Sequence, residues 1–375
     1  MNIEYFSLAD MNQAILASLH KFPKDIDLVV GIPRSGMLPA NLIALYLNKP
    51  YTDIDSFLEG RVFSTGERGG FIVSDHSNKI LVVDDSIHSG NSLIKVKQKL
   101  AKIIAEDKYE LLFAAVFSTE QSADKVDIYC QITGIDRIFQ WNLFHHKRFT
   151  TQAFFDIDGV LCPNPPVDDD GEEYVRYIST APVLYRPSVE VDTLVTCRLE
   201  KYRSITEKWL RENRIQYRRL VMLDFSNKQE RVAWGRHGEY KGKVYRDSDS
   251  CLFFESSLRE AKDIFLVSQK PVFCTETFAL YTKASDFEYV EKGLYEQVSL
   301  LVAKNEELIR YETEYTRQAE EKLLQAEAEL QRLNDTLRRV ARKNKKHLLW
   351  IRLLVLLILM VSLGLIVLGG YHHVW

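Results

Sequence analysis

The stretch KILVVDDSIHSGNSL, Lys79 to Leu93, decides how the first half of the chain is read. Four apolar residues, Ile80 to Val83, predict a buried strand. Two adjacent carboxylates follow, Asp84 and Asp85, although desolvation and mutual repulsion both oppose like charges at a strand mouth. Something outside the protein must offset them, such as a cation or a ring of hydroxyl groups. A small, hydroxyl-rich loop, Ser86 to Ser92, then leads into a helical pattern. Backbone N–H groups around Ser89, Gly90, Asn91 and Ser92 can converge on a phosphate at the helix start. The bland alternative is a solvated turn whose Asp and Ser cap the helix.

A second loop follows another apolar strand in DLVVGIPRSGMLPA, Asp27 to Ala40. Pro33 and Gly36 shape a tight turn there, and Arg34 sets a cation beside free N–H groups, an arrangement suited to a pyrophosphate. Together ILVVDDSIHSGNS and GIPRSG resemble the signature and the pyrophosphate loop of the type I phosphoribosyltransferase family, over most of residues 20 to 145. The resemblance implies binding of 5-phosphoribosyl-1-pyrophosphate (PRPP). Asp84 and Asp85 would hold the ribose hydroxyls, and the loop Ser86, His88, Ser89, Gly90, Asn91 and Ser92 the 5-phosphate. Arg34, Ser35 and Gly36 would lie by the pyrophosphate, which carries Mg²⁺. Residues 58 to 78, with Arg61 and Arg68, lie where the family has a mobile flap.

AFFDIDGVLCPNPP, Ala153 to Pro166, repeats the device: an apolar strand, then Asp156 and Asp158 two residues apart and pointing the same way. Around Mg²⁺ such a pair is compensated. This motif resembles the haloacid dehalogenase (HAD) superfamily of phosphohydrolases. The resemblance implies Asp156 as the nucleophile that forms an aspartyl-phosphate and Asp158 as the general acid/base. Thr196, at the end of LVTCR, would bind phosphoryl oxygens, and Lys241 would stabilise charge, with Lys243 as its rival. Asp156, the backbone carbonyl of Asp158, and Glu255 would be the metal ligands, although the superfamily more often has aspartate at the third position. About 35 residues separate Asp158 from the second motif, too few for a large cap, so an open site is expected.

The chain has 375 residues, 46% hydrophobic and 27% charged, with ample material for cores. A net charge of −3 gives no nucleic-acid signal, and five scattered cysteines favour a reduced setting. The expected organisation is α/β: two Rossmann-like parallel-sheet domains, a type I phosphoribosyltransferase fold over 1–148 and a HAD-like fold with a minimal cap over 149–292. A Gly- and Pro-free segment follows. Its apolar residues Leu323, Ala326, Leu330, Leu333, Leu337 and Val340 alternate spacings of three and four, predicting a coiled-coil stalk over 293–346. RRVARKNKKHLLWIR then precedes the apolar run LLVLLILMVSLGLIVLGG, predicting one transmembrane helix over 347–371 with its N-terminal side in the cytoplasm.

The combination resembles the bifunctional glycan phosphoribosyltransferase/phosphatase type of protein. Such a protein would attach phosphoribose to a lipid-linked glycan at the bacterial inner membrane and then remove the 5-phosphate. The coiled coil would make a homodimer or higher homo-oligomer. The alternatives are a nucleobase phosphoribosyltransferase with nucleotidase activity, and a membrane-bound scaffold that senses PRPP.

Overall fold

The computed structural model describes residues 3–63, 65–66, 78–106, 108–166, 171–343 and 351–361. They fall into two compact units, Met1–Glu288 and Tyr289–Trp375.

The first lobe of the larger unit carries β1 (Glu4–Phe6), β2 (Ile26–Gly31), β3 (Tyr51–Asp53), β4 (Lys79–Ile87), β5 (Glu110–Ser118), β6 (Ile128–Ile132) and β7 (Arg137–Phe139). Its sheet has the order β3-β2-β4-β5-β6, with every neighbouring pair parallel. The central strand β4 is covered on both faces. Leu81 and Val83 pack with Val29 and Ile43 on one side; Ile80 and Val82 pack with Leu93 and Val96 on the other. This is why its sequence reads as continuous apolar residues rather than alternation. The strand runs further than its apolar core suggests. Asp84, Ser86 and Ile87 still pair with Ala115, Phe117 and Ser118 of β5, so both acids lie within the strand.

The second lobe contains β8 (Ala153–Phe155), β9 (Val191–Leu199), β10 (Tyr217–Leu223), β11 (Leu252–Glu255), β12 (Val272–Cys274) and β13 (Ala279–Tyr281). Their order is β10-β9-β8-β11-β12-β13, parallel except for the antiparallel edge strand β13. Asp156 follows β8 directly, Thr196 lies on β9 and Glu255 ends β11. Three neighbouring strands therefore carry these side chains toward the carboxyl end of the sheet, where open α/β sheets place their sites.

The stretch around residue 148, read in the sequence as a boundary, lies inside a shared core. Strands β1 and β7 pair with each other, and Ile3, Ile138, Leu143, Phe144 and Phe149 join one buried cluster with Phe155, Leu194, Phe254 and Phe273. Phe144 stacks on Tyr185 at 4.4 Å and lies 5.4 Å from Phe254, while Tyr5 meets Phe273 edge-on at 5.2 Å. The lobes are thus joined by packing as well as by chain.

A 60-residue helix, Ala284–Lys343, begins in the larger unit, where Phe287 stacks on Tyr281 at 4.1 Å. At 1.5 Å per residue it is about 90 Å long. Along it Val298, Val302, Ile309, Leu323, Leu330 and Leu333 are exposed, so the heptad seam has its helix and presents its apolar side to the surroundings. Of the expected membrane span only Ile351–Val361 lies within the described residues, and it is helical. Among the described residues no helix is long and apolar enough to cross a membrane.

Because both lobes draw on one cluster, truncating Phe144 should weaken them together. Phe144→Ala is expected to cost about 3–5 kcal/mol and to lower a single cooperative transition of the globular part in calorimetry. Two transitions, with only one of them shifted, would contradict a shared core.

Candidate functional site

At the first site, Asp84, Ser86, His88, Ser89, Gly90, Asn91 and Ser92 line one cleft together with Ile32. The expected phosphate loop and its first acid are therefore gathered. Gly90, at φ +81°, makes the left-handed turn that starts the helix Asn91–Lys99. Gly36 lets the loop after β2 lie against β4. A Cβ there would meet Ile32 O at 2.6 Å and Val83 O at 2.7 Å. The Pro33–Arg34 peptide in this loop is cis, and the Arg34 side chain is exposed. Burial, then the neighbouring Asp85, push the Asp84 carboxyl up to about 8.

Asp85 does not face the cleft. Successive residues of a strand point to opposite sides, and Asp85, only 5% exposed, turns inward. Its Oδ1 accepts from Ser35 Oγ at 2.8 Å and its Oδ2 from the Trp141 indole at 2.6 Å. The second acid thus ties the loop after β2 to the segment that runs on into the shared core. Two basic residues escaped the sequence reading. Arg137, buried on β7, donates to Ile87 O at 2.8 Å, and Lys125 Nζ donates to Ser89 O at 3.1 Å, so both brace the loop's backbone. Arg137 opens β7 directly after Asp136, where nothing in the sequence sets it apart from an ordinary charged strand end. Arg61 of the expected flap is exposed, and Arg68 lies outside the described residues.

At the second site Lys241 Nζ lies 2.7 Å from Asp156 Oδ2, from Glu255 Oε2 and from Glu260 Oε2. Lys243 is exposed and takes no part in this group. Burial opposes the charge of Lys241, but the carboxylates of Asp156, Glu255 and Glu260 outweigh it and hold the ammonium well above its usual range. Burial raises Asp156, and Lys241 only partly offsets it. Burial also raises Glu260, yet Lys241 and His237 overcome this and take it down to about 2. Glu260 was not read from the sequence; the signal was a second acid five residues after Glu255, in the first turn of the helix Leu258–Ser268.

Asp158 is held by a residue the sequence reading also missed. Arg198, fully buried on β9, donates Nε to Oδ2 at 2.9 Å and an Nη to Oδ1 at 2.6 Å. Arginine inside the apolar strand VTCRL was the visible clue. Burial opposes the guanidinium's charge, and Asp158 more than restores it. Thr196 is buried and its Oγ1 accepts from Arg198 N at 3.2 Å, which leaves its own O–H to donate. Gly159 keeps the turn clear, because a Cβ there would lie 2.2 Å from Ser256 Oγ.

Asp156, Asp158 and Glu255, expected as metal ligands, line one cleft. Asp158 pairs with Arg198, while Lys241 stands between Asp156 and Glu255. Among the described residues no group of three or more His, Cys, Asp or Glu side chains is arranged to hold a metal ion.

Two expectations follow for the free protein. The folded pKa of Asp84 is raised, from 3.8 to about 8, so the folded state holds that proton more tightly than the unfolded state. Its stabilisation is complete below the unfolded value and is lost as pH rises through the folded one. Denaturation between pH 4 and 8 should therefore show stability falling with pH, and Asp84→Asn should flatten the slope; a slope unchanged by the substitution would contradict it. Replacing the buried ammonium, Lys241→Met, should cost about 3–5 kcal/mol by leaving its carboxylates unpaired. Lys243→Met should stay within about 0.5 kcal/mol. Equal effects in urea titrations would contradict the assignment.

Comparison with known proteins bears on the first lobe. The family model described as "Phosphoribosyl transferase domain" matches residues 6–147. The purine phosphoribosyltransferase from Pyrococcus horikoshii is similar in structure, at 21% identity and TM-score 0.28, covering 38% of this chain and 94% of that one. The xanthine-guanine-hypoxanthine phosphoribosyltransferase from Helicobacter pylori is similar at 18% identity and TM-score 0.29, covering 38% and 93%. No curated protein matches the chain. A strand, loop and helix that gather Asp84 with Ser89 to Ser92 coincide with the matched region, and residues 6–147 form a phosphoribosyl transferase domain.

Proposed function

We propose that this chain is a two-step ribofuranosylation enzyme. In the first step the acceptor's hydroxyl oxygen attacks C1 of PRPP. The C1–O bond to pyrophosphate breaks, the leaving group takes the electron pair, and the hydroxyl proton passes to solvent. Asp84 faces the ribose hydroxyls, and the loop from Ser89 to Ser92 receives the 5-phosphate. In the second step an Asp156 oxygen attacks the 5-phosphorus, and the ribose O5–P bond breaks. O5 leaves with a proton from solvent, and Asp158 then takes a proton from the water that hydrolyses the aspartyl-phosphate. Arg198 fixes the direction of Asp158, and the Thr196 hydroxyl serves a phosphoryl oxygen.

The observation that carries this reading is the constellation at the second site. Asp156, Asp158, Thr196 and Lys241 come together at the carboxyl ends of adjacent strands, on the same compact unit as the phosphoribosyl transferase domain. Mg²⁺ belongs to the reading at both sites. At the second, one ammonium faces three carboxylates, which leaves charge for a cation beside Asp156 and Glu255. Such a cation would neutralise charge on the phosphate.

The acceptor in this reading is a lipid-linked glycan on the cytoplasmic face of a bacterial inner membrane, and the product is β-ribofuranose within an O-antigen or capsule. The basic and apolar C-terminal sequence supports an anchor, and the exposed heptad seam supports pairing of two or more copies.

Mass spectrometry of a lipid-linked acceptor incubated with full-length protein, PRPP and Mg²⁺ tests the sequence of events. The acceptor should gain phosphoribose and then lose one phosphate, and Asp156→Asn should stop it at the phosphorylated stage. Pyrophosphate release with no change in acceptor mass would contradict the proposal, as would an Asp156→Asn variant that still removes the phosphate.

A further inference from the structure

Two residues lining the second cleft each carry a buried nitrogen without a hydrogen-bond partner: Arg231 Nε and His237 Nε2. Each is fixed from its other side. Arg231 comes from the helix Lys228–Trp234, and its Nη1 donates to Cys197 O at 3.0 Å, next to Thr196. His237 opens the helix His237–Arg246, and its Nδ1 sits 3.5 Å from Glu260 Oε1, with the Trp234 ring at 6.1 Å. Leaving a buried polar atom unpaired costs about 1–3 kcal/mol, so an anchored pair of this kind is costly unless a ligand completes it.

The two line the same cleft as the groups that would serve the scissile phosphoryl group, and His237 shares its helix with Lys241. Asp156, Thr196 and Glu255 come from strand ends, and Lys241 directs its three N–H groups to carboxylates. Arg231 and His237 come instead from the segment after β10, at residues 228–237. A guanidinium Nε–H calls for an anionic oxygen. A hydroxyl, which both donates and accepts, suits the imidazole Nε2 whichever way its protons lie.

We infer that Arg231 and His237 form a leaving-group subsite, and that the second site takes a phosphorylated sugar whose leaving group carries both a further anionic group and a free hydroxyl. This rests on the phosphoryl-hydrolysis reading above and narrows its substrate class. The anion is an oxyacid, a second phosphate or a carboxylate. In the glycan reading it belongs to the acceptor side of the phosphoribosyl product. No new bond chemistry is involved, because the subsite binds the part of the substrate that departs with O5.

The test compares ribose 5-phosphate with ribose 1,5-bisphosphate on the full-length protein, following loss of the 5-phosphate by ³¹P NMR. A charge-assisted hydrogen bond predicts a preference for the bisphosphate of about ten- to a hundred-fold in kcat/KM. The preference should lie in KM. Arg231→Gln should bring the ratio of the two substrates close to one, and Arg231→Lys should restore part of it. His237→Asn, which keeps the helix start polar, should raise KM for both sugars. A wild-type protein with no preference would overturn the subsite, as would an Arg231→Gln variant that lowers both substrates by the same factor. If wild type and Asp156→Asn are equally inert on both compounds, the phosphoryl-hydrolysis reading falls and takes the subsite with it.

Discussion

Buried carboxylates need partners, and this requirement organises both lobes. Each sheet delivers acids to the carboxyl end of central strands, where the surrounding strands keep water away. In the second lobe the protein supplies part of the compensation itself. One ammonium, Lys241, serves Asp156, Glu255 and Glu260, and one guanidinium, Arg198, serves Asp158. In the first lobe the two neighbours are treated differently. Asp85 is satisfied internally by Ser35 and Trp141, while Asp84 meets the cleft with a raised pKa. That asymmetry marks Asp84 as the acid waiting for something outside the fold.

The same arrangement links the lobes. Trp141, which holds Asp85, is followed three residues later by Phe144, which packs on Tyr185 and Phe254. Phe254 stacks on Phe155 at 4.2 Å, and these two residues directly precede Glu255 and Asp156. The phosphoribosyl transferase domain and the second lobe therefore rest on a common aromatic layer. A layer of this kind couples the two lobes through packing.

Much of the architecture was legible because it depends on local rules. Continuous apolar runs such as ILVV and AFF name strands buried on both faces, and the glycines at 36, 90 and 159 sit where close approach or a positive φ requires them. The small-residue loop from Ser89 to Ser92 lines its cleft as the sequence implies. What could not be read depends on pairings across long separations. That Asp85 turns away from Asp84 follows from strand pairing continuing past Val83, and its partners Ser35 and Trp141 are 50 and 56 residues distant. Arg198 and Glu260 were hidden for a similar reason: an arginine in a strand, or a glutamate in a helix's first turn, has many ordinary explanations until its partner is seen. Phe149, at the expected boundary between 148 and 149, joins a buried cluster with Phe144, Phe155 and Phe254, a grouping that only long-range packing reveals.

The most direct test of the central claim, that the cleft at β4 is completed by a phosphoribosyl ligand, is calorimetric titration of the full-length protein with PRPP. The account predicts saturable binding of one PRPP per chain, accompanied by a pH-dependent proton exchange that disappears in Asp84→Asn. Absence of saturable uptake, or binding and proton exchange identical in wild type and Asp84→Asn, would contradict it.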